Sequence, residues 1–145
     1  MSWNYNYGAL SAAIYGGLNG KMVLLDDPDQ FVEDGYLALA SALWFYMSPA
    51  SPKPSMHEIS TKLYVPNYYD ESLGITNDFG ATTMVINGGL ECGKGGGKES
   101  DGAKDRAEFY NAFLTYFGLP TETGTGCADM GSFSTQSSSA YPQTF

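Results

Sequence analysis

At 145 residues the chain has room for one domain and is short for two, and a hydrophobic content of 43% supports a core rather than general disorder. A formal net charge of −9 argues against nucleic acid, whose phosphates need clustered Lys and Arg, and against an anionic membrane surface. A neutral or cationic polymer stays open as a partner. The 11 Tyr, 8 Phe and 2 Trp would suit stacking on sugar rings, but rings fill cores more often, so composition by itself does not favour a carbohydrate. No run of about 18 apolar residues is present to span a membrane, and neither a basic start nor an apolar leader follows Met1.

In chain order, Ser2-Trp3-Asn4-Tyr5-Asn6-Tyr7 is a polar, aromatic opening, and residues 8–17 predict a short apolar helix ended by Gly16-Gly17. Asp26 to Asp29 form a polar turn with helix-start chemistry. Residues 30–47 predict one long helix whose heart, Tyr36 to Met47, is apolar nearly all round, the pattern of a helix buried on every side. Pro49, Pro52 and Pro54 forbid helix and hold Lys53 in a stiff extended loop. Ser55 and Glu58 fit a capping box for a short helix to about Lys62. Residues 63–76 predict loop, Asn77 a cap for a helix to about Ile86, and residues 93–102 a flexible loop. Asp101 predicts the cap of a last helix through Phe117, ended by Gly118 and Pro120. The Ser-rich stretch 131–145 predicts a disordered tail to a domain over 1–130. No strand is predicted with conviction, so the chain reads as mostly α.

Glycoside hydrolysis needs two carboxyls flanking the scissile bond. The candidates are Glu33, Asp34, Glu58, Asp70, Glu71, Glu91 and Asp101. Glu58 and Asp101 fit helix caps, Glu33 and Asp34 fit a first helical turn, and Asp70-Glu71 fits an exposed loop pair. Glu91 is the exception, because a double glycine precedes it and Cys92 follows. His57 is the single histidine and no Cys cluster accompanies it, which argues against a zinc site; no metal or cofactor is expected. Gly93 to Gly97 lacks the Lys-Ser/Thr of a phosphate-binding loop. Cys92 and Cys127 are two lone cysteines, a number that more often means free thiols than a framework; a bridge between them would close a loop of roughly 35 residues. In the opening stretch, amides and hydroxyls match sugar hydroxyls and N-acetyl groups, and rings offer flat apolar faces. An ordinary polar strand or loop fits that stretch as well.

Four blocks occur in order and register: SWNYNYG (2–8), ALWFYMSPASPKPSMHE (42–58), VINGGLECG (85–93), and Asp105-Arg106 with Phe109-Tyr110, followed by Cys127. Together, over about residues 1–130, they resemble the C-terminal half or more of the glycoside hydrolase family 19 chitinases. The resemblance implies a mostly α-helical, lysozyme-like fold with a cleft between two lobes, here truncated at the N-terminus. It implies inverting cleavage of β-1,4-linked N-acetylglucosamine polymers by a glutamic acid and a glutamate base, without metal or cofactor. Carried over residue by residue, Ser2 matches a water-positioning serine, and Tyr5, Asn6, Lys53 and Asn87 match substrate contacts. Glu91 and Arg106 match a supporting charge pair, and Cys92 and Cys127 match the family's C-terminal disulfide. Both catalytic glutamates of the family precede the SWNYNYG block, so this chain alone is expected to be inactive. Chitin or chito-oligosaccharides are the implied partners, as a monomer, in an extracellular setting. A non-catalytic, chitin-binding chitinase-like protein is the alternative, and lysis of peptidoglycan a more distant one.

Overall fold

The computed structural model describes residues 3–16, 22–93 and 96–137. Among them the chain is helical and has no sheet: α1 (Asn4–Tyr15), α2 (Val23–Asp26), α3 (Gln30–Glu33), α4 (Gly35–Met47), α5 (Met56–Ser60), α6 (Tyr68–Ser72), α7 (Phe79–Glu91) and α8 (Asp101–Tyr116). They fall into two compact units, Met1–Met47 and Ser48–Phe145.

In the first unit, α1 takes in most of the polar opening stretch and ends where Gly16, at φ 101°, turns left-handed and returns its N–H to Ala12 O. Leu10, Leu24 and Leu37 form its buried centre, with Tyr7, Phe31 and Trp44 packed around them. Tyr7 meets Phe31 edge-on at 5.0 Å between ring centroids, and the Ser11 hydroxyl accepts the Leu24 N–H inside the core. The single helix predicted over 30–47 is two helices. Asp34 is extended (φ −114°, ψ 103°), and its Oδ1 accepts the N–H groups of Tyr36 and Leu37. An Asp side chain that caps orphan donors competes with helix continuation, which is why the break falls there. Nor is α4 buried all round. Leu37 and Ser41 are buried, while Tyr36, Leu39, Leu43 and Met47 are exposed at helical spacing.

The second unit is organised on α7, whose residues 80–85 are all buried. Ile59 from α5, Ala103 from α8, and Tyr64, Ile75, Cys127, Met130 and Phe133 from the connections complete its core. The Ser55–Glu58 capping box stands as expected, with Ser55 N donating to Glu58 Oε2 at 2.7 Å and Glu58 N to Ser55 Oγ at 3.1 Å. A second box lies in what the sequence predicted as loop: Asn67 and Asp70 cap α6, and Asp70 is fully buried rather than one of an exposed pair. Helix α7 begins at Phe79 after Asp78, beyond the expected Asn77 cap, and runs past Ile86 to Glu91. The cap of α8 is Ser100, whose Oγ accepts the Ala103 N–H; Asp101 is already inside the first turn. The core reaches beyond residue 130, for Gly131 N donates to Leu73 O and Phe133 packs edge-on against Tyr64. Residues 138–145 lie outside the described residues.

Helix α7 offers a direct test of this packing. A Cβ on Gly80 would overlap the Gly126 carbonyl oxygen, whereas one on Gly89 would meet nothing within 4 Å. Gly80→Ala is expected to cost about 1–3 kcal/mol through overpacking. Gly89→Ala is expected to be neutral or stabilising by up to about 1 kcal/mol through helix propensity. Urea unfolding of both variants measures the contrast, and equal effects would contradict the close approach at Gly80.

Candidate functional site

The candidate residues of the second unit converge at the C-terminal end of α7. Asn87 interrupts the helix with φ −150° and ψ 28°, so the segment before it ends and a further turn carries the chain to Glu91. Arg106, in the second turn of α8, reaches Glu91 with both edges of its fork: Nε donates to Oε2 at 2.7 Å and Nη2 to Oε1 at 2.9 Å. Such a paired contact fixes geometry as well as charge. Asn87 Nδ2 donates to the same Oε1 at 2.7 Å. An ionised carboxylate can only accept, so the Asn87 amide turns its nitrogen toward Glu91, and among the described residues no donor is bonded to its Oδ1.

The Glu91 carboxylate is largely buried while Arg106 remains partly exposed. The Arg106 hydrogen bond is the main cause that holds the Glu91 carboxyl below its ordinary value; burial opposes it, and the Asn87 bond and the Arg106 charge add to it. Arg106 is correspondingly raised, first by its hydrogen bond to Glu91. Glu91 is therefore a settled anion, unsuited to giving up a proton near neutral pH. The other buried acids are also committed, Glu58 and Asp70 to their capping boxes. Asp101 is exposed and pairs with Lys104 at 3.0 Å.

The backbone around Glu91 is equally constrained. Ser100 N donates to Glu91 O at 2.8 Å, which sets the start of α8 against the end of α7. The next residue, Cys92, is joined to Cys127 in a disulfide across 35 positions, and both cysteines are buried. Glu99 Oε2 accepts the Cys127 N–H at 2.8 Å. Phe79 and Tyr110 stack at 4.1 Å between centroids, joining the start of α7 to α8 one turn beyond Arg106. Neither Glu99 nor Ser100 stood out in the sequence, because each binds a main-chain N–H that carries no residue signature. On the proline-bounded loop, Lys53 Nζ donates to Val85 O at 2.8 Å. Burial lowers the Lys53 pKa from its ordinary value.

In the first unit, Tyr5 and Asn6 are neighbours on the first turn of α1. Tyr5 is exposed and Asn6 is buried. Ser2 lies outside the described residues. The structure thus brings Asn87, Glu91, Arg106 and the disulfide together in one place, and Lys53 reaches from its loop to the main chain of α7 two residues before Asn87.

A group whose folded pKa is depressed contributes stability above its unfolded value and loses it as pH falls through the folded value. Glu91 is such a group. Wild type is expected to lose stability in urea as pH falls below the ordinary glutamate range. Arg106→Gln is expected to be less stable at neutral pH by about 2–3 kcal/mol, less than for a fully buried pair because Arg106 is partly solvated. It should also lack the part of the acid dependence that Glu91 supplies. A parallel pH profile for both proteins would contradict the assignment.

The profile of the class I chitinases, glycoside hydrolase family 19, matches residues 1–127. Endochitinase A2 of Pisum sativum is 40% identical over 119 residues, 82% of this chain and 34% of that protein. Endochitinase 2 of Gossypium hirsutum is 37% identical over 133 residues, 92% of this chain and 41% of that protein. Inactive chitinase-like protein 1 of Hevea brasiliensis is 36% identical over 133 residues, 92% of this chain and 40% of that protein. The chain therefore spans between about a third and two fifths of the length of these relatives. With the family profile matched over residues 1–127, the helical architecture of the described residues and the register of its four blocks, this chain belongs to glycoside hydrolase family 19, the class I chitinases.

Proposed function

We propose that this chain is part of a chitinase-type hydrolase of β-1,4-linked N-acetylglucosamine polymers, in which its own residues bind and position the sugar chain. The observation that carries this reading is the Asn87–Glu91–Arg106 network. One hydrogen bond holds the Asn87 amide to Glu91, two more hold Glu91 to Arg106, and Asn87 Oδ1, which accepts from no described residue, is offered to a ligand's N–H or hydroxyl. A neutral polymer of hydroxyls and N-acetyl groups matches such a polar, uncharged contact, and the net charge of −9 disfavours an anionic one. Tyr5 offers an exposed ring on which a sugar face can stack, and the neighbouring Asn6, buried on the same turn of α1, is assigned a polar contact to the sugar. Lys53 stands beside Asn87 through Val85. Ser2 is assigned the positioning of a water. The buried disulfide fits an oxidising, extracellular setting.

Inverting hydrolysis requires one carboxyl to protonate the leaving oxygen and another to activate water. Glu58 and Asp70 are used in capping boxes and Glu91 is held ionised, so none of the three is assigned either task. The chain by itself is expected to show no turnover. A second reading, a chitin-binding protein without hydrolytic activity, draws on the 36% identity to a relative named an inactive chitinase-like protein.

Incubation with chitin oligomers, followed by reducing ends, is expected to give no release. Turnover that disappears in Glu91→Gln would overturn the assignment of Glu91 as a supporting group. Titration with the same oligomers is expected to give a Kd in the millimolar range, roughly, since little of the ligand's surface is buried by so few contacts. Asn87→Ala should weaken it by roughly three- to tenfold, the value of one hydrogen bond. An intact chain that shows no binding would remove the sugar-binding assignment.

A further inference from the structure

The proline-bounded loop meets α7 at the Val85 carbonyl oxygen, two residues before the break at Asn87. Ala50 N donates to Lys53 O at 3.1 Å and Lys53 N to Ala50 O at 2.8 Å, so the loop closes on itself and fixes the Lys53 backbone. Pro54 follows, fully buried. The side chain then crosses to α7, where Nζ donates to Val85 O at 2.8 Å. Among the described residues no carboxylate pairs with Lys53. Its recorded partner is a main-chain carbonyl 32 positions away.

That carbonyl lies in a particular place. Asn87 departs from helical dihedrals, so Val85 belongs to the last turn of the segment before the break. The last carbonyls of a helix want donors from outside it, and a cation there also opposes the negative end of the helix dipole. An ammonium–carbonyl bond is charge-assisted and worth more than a neutral one. Two residues on, Asn87 must swing its amide to Glu91. A donor held on the Val85 carbonyl therefore bears on the stretch of backbone from which Asn87 projects.

We propose that Lys53 is a positioning residue for Asn87: by holding the Val85 carbonyl it sets the break in α7, and with it the angle at which Asn87 presents Oδ1 to a ligand. The proposal deepens the sugar-binding reading and rests on it for its functional meaning. It differs from a direct Lys53–sugar contact in one respect that can be measured, since a positioning residue acts through Asn87 and a contact acts beside it.

The test uses the whole chain, labelled with 15N, as wild type, Lys53→Met and Lys53→Arg. Without any sugar, Lys53→Met is expected to move the Asn87 side-chain amide resonances. It should also speed hydrogen exchange of the Gly88 to Glu91 amides by on the order of tenfold or more, with Lys53→Arg restoring both in part. Unmoved Asn87 resonances and unchanged exchange in Lys53→Met would overturn the proposal. Should Lys53→Met fail to fold, the wild type decides. Lys53 ammonium protons protected from solvent exchange support the bond, and fully exchanging ones overturn it.

Titration with a chitin oligomer separates the two layers. Lys53→Met and Asn87→Ala are expected to weaken binding by similar factors, with the double variant no weaker than Asn87→Ala. Multiplying losses would mean that Lys53 touches the sugar independently, and the proposal falls. If no variant, nor the wild type, binds the oligomer, the sugar reading fails, and the resonance and exchange measurements alone support or overturn the positioning role.

Discussion

A carboxylate taken out of water must be paired, and the second unit is arranged to meet that demand at Glu91. Arg106 contributes both edges of its guanidinium and Asn87 its amide. Each partner then constrains a larger element. Arg106 sets the register of α8 against α7, with Phe79 stacked on Tyr110 one turn along. The Ser100 N–H on the Glu91 carbonyl sets where α8 starts. Asn87 reaches forward one turn to Glu91 from the position at which the helix breaks. The disulfide at Cys92 then ties the residue after Glu91 to the last stretch of the core. Remove the charge, and the break, the helix register and the loop between them lose their common reason.

The same network keeps a buried glutamate ionised. Proton donors need a carboxyl raised toward neutrality, usually by apolar burial or a neighbouring anion. Glu91 has a guanidinium on one side and an amide donor on the other, and both favour the anion. What it does is hold the Asn87 amide and the Arg106 guanidinium in one fixed arrangement.

The first unit depends on simpler forces. Leu10, Leu24 and Leu37 exclude water, the Ser11 hydroxyl satisfies a buried N–H, and Gly16 ends α1 in a conformation that other residues reach only with strain. Tyr36, Leu39, Leu43 and Met47 stay exposed on α4, although the sequence pattern calls for their burial. The segment Tyr36 to Met47 has the composition of an interior helix, and burial on one face alone leaves that composition without a local explanation.

Much of this was legible in the amino acids themselves. The helical class, the Ser55–Glu58 capping box, the Gly16 stop and the proline loop follow from short-range stereochemistry, and short-range rules are written in neighbouring residues. The pairing of Glu91 with Arg106, and of Cys92 with Cys127, came from the register of four blocks rather than from spacing. Other features could not be read locally. Asp34 as a helix start, the Asn67–Asp70 box and Ser100 as a cap each needed a competition between neighbouring polar residues, which tertiary packing resolved. The break at Asn87 and the Lys53 bond to Val85 lay furthest from view, since one partner is a main-chain carbonyl identical in every residue. Sequence determined which elements form and which side chains carry charge. Only the fold decided which carbonyls and N–H groups those charges would meet, because main-chain partners have no signature until packing brings them together.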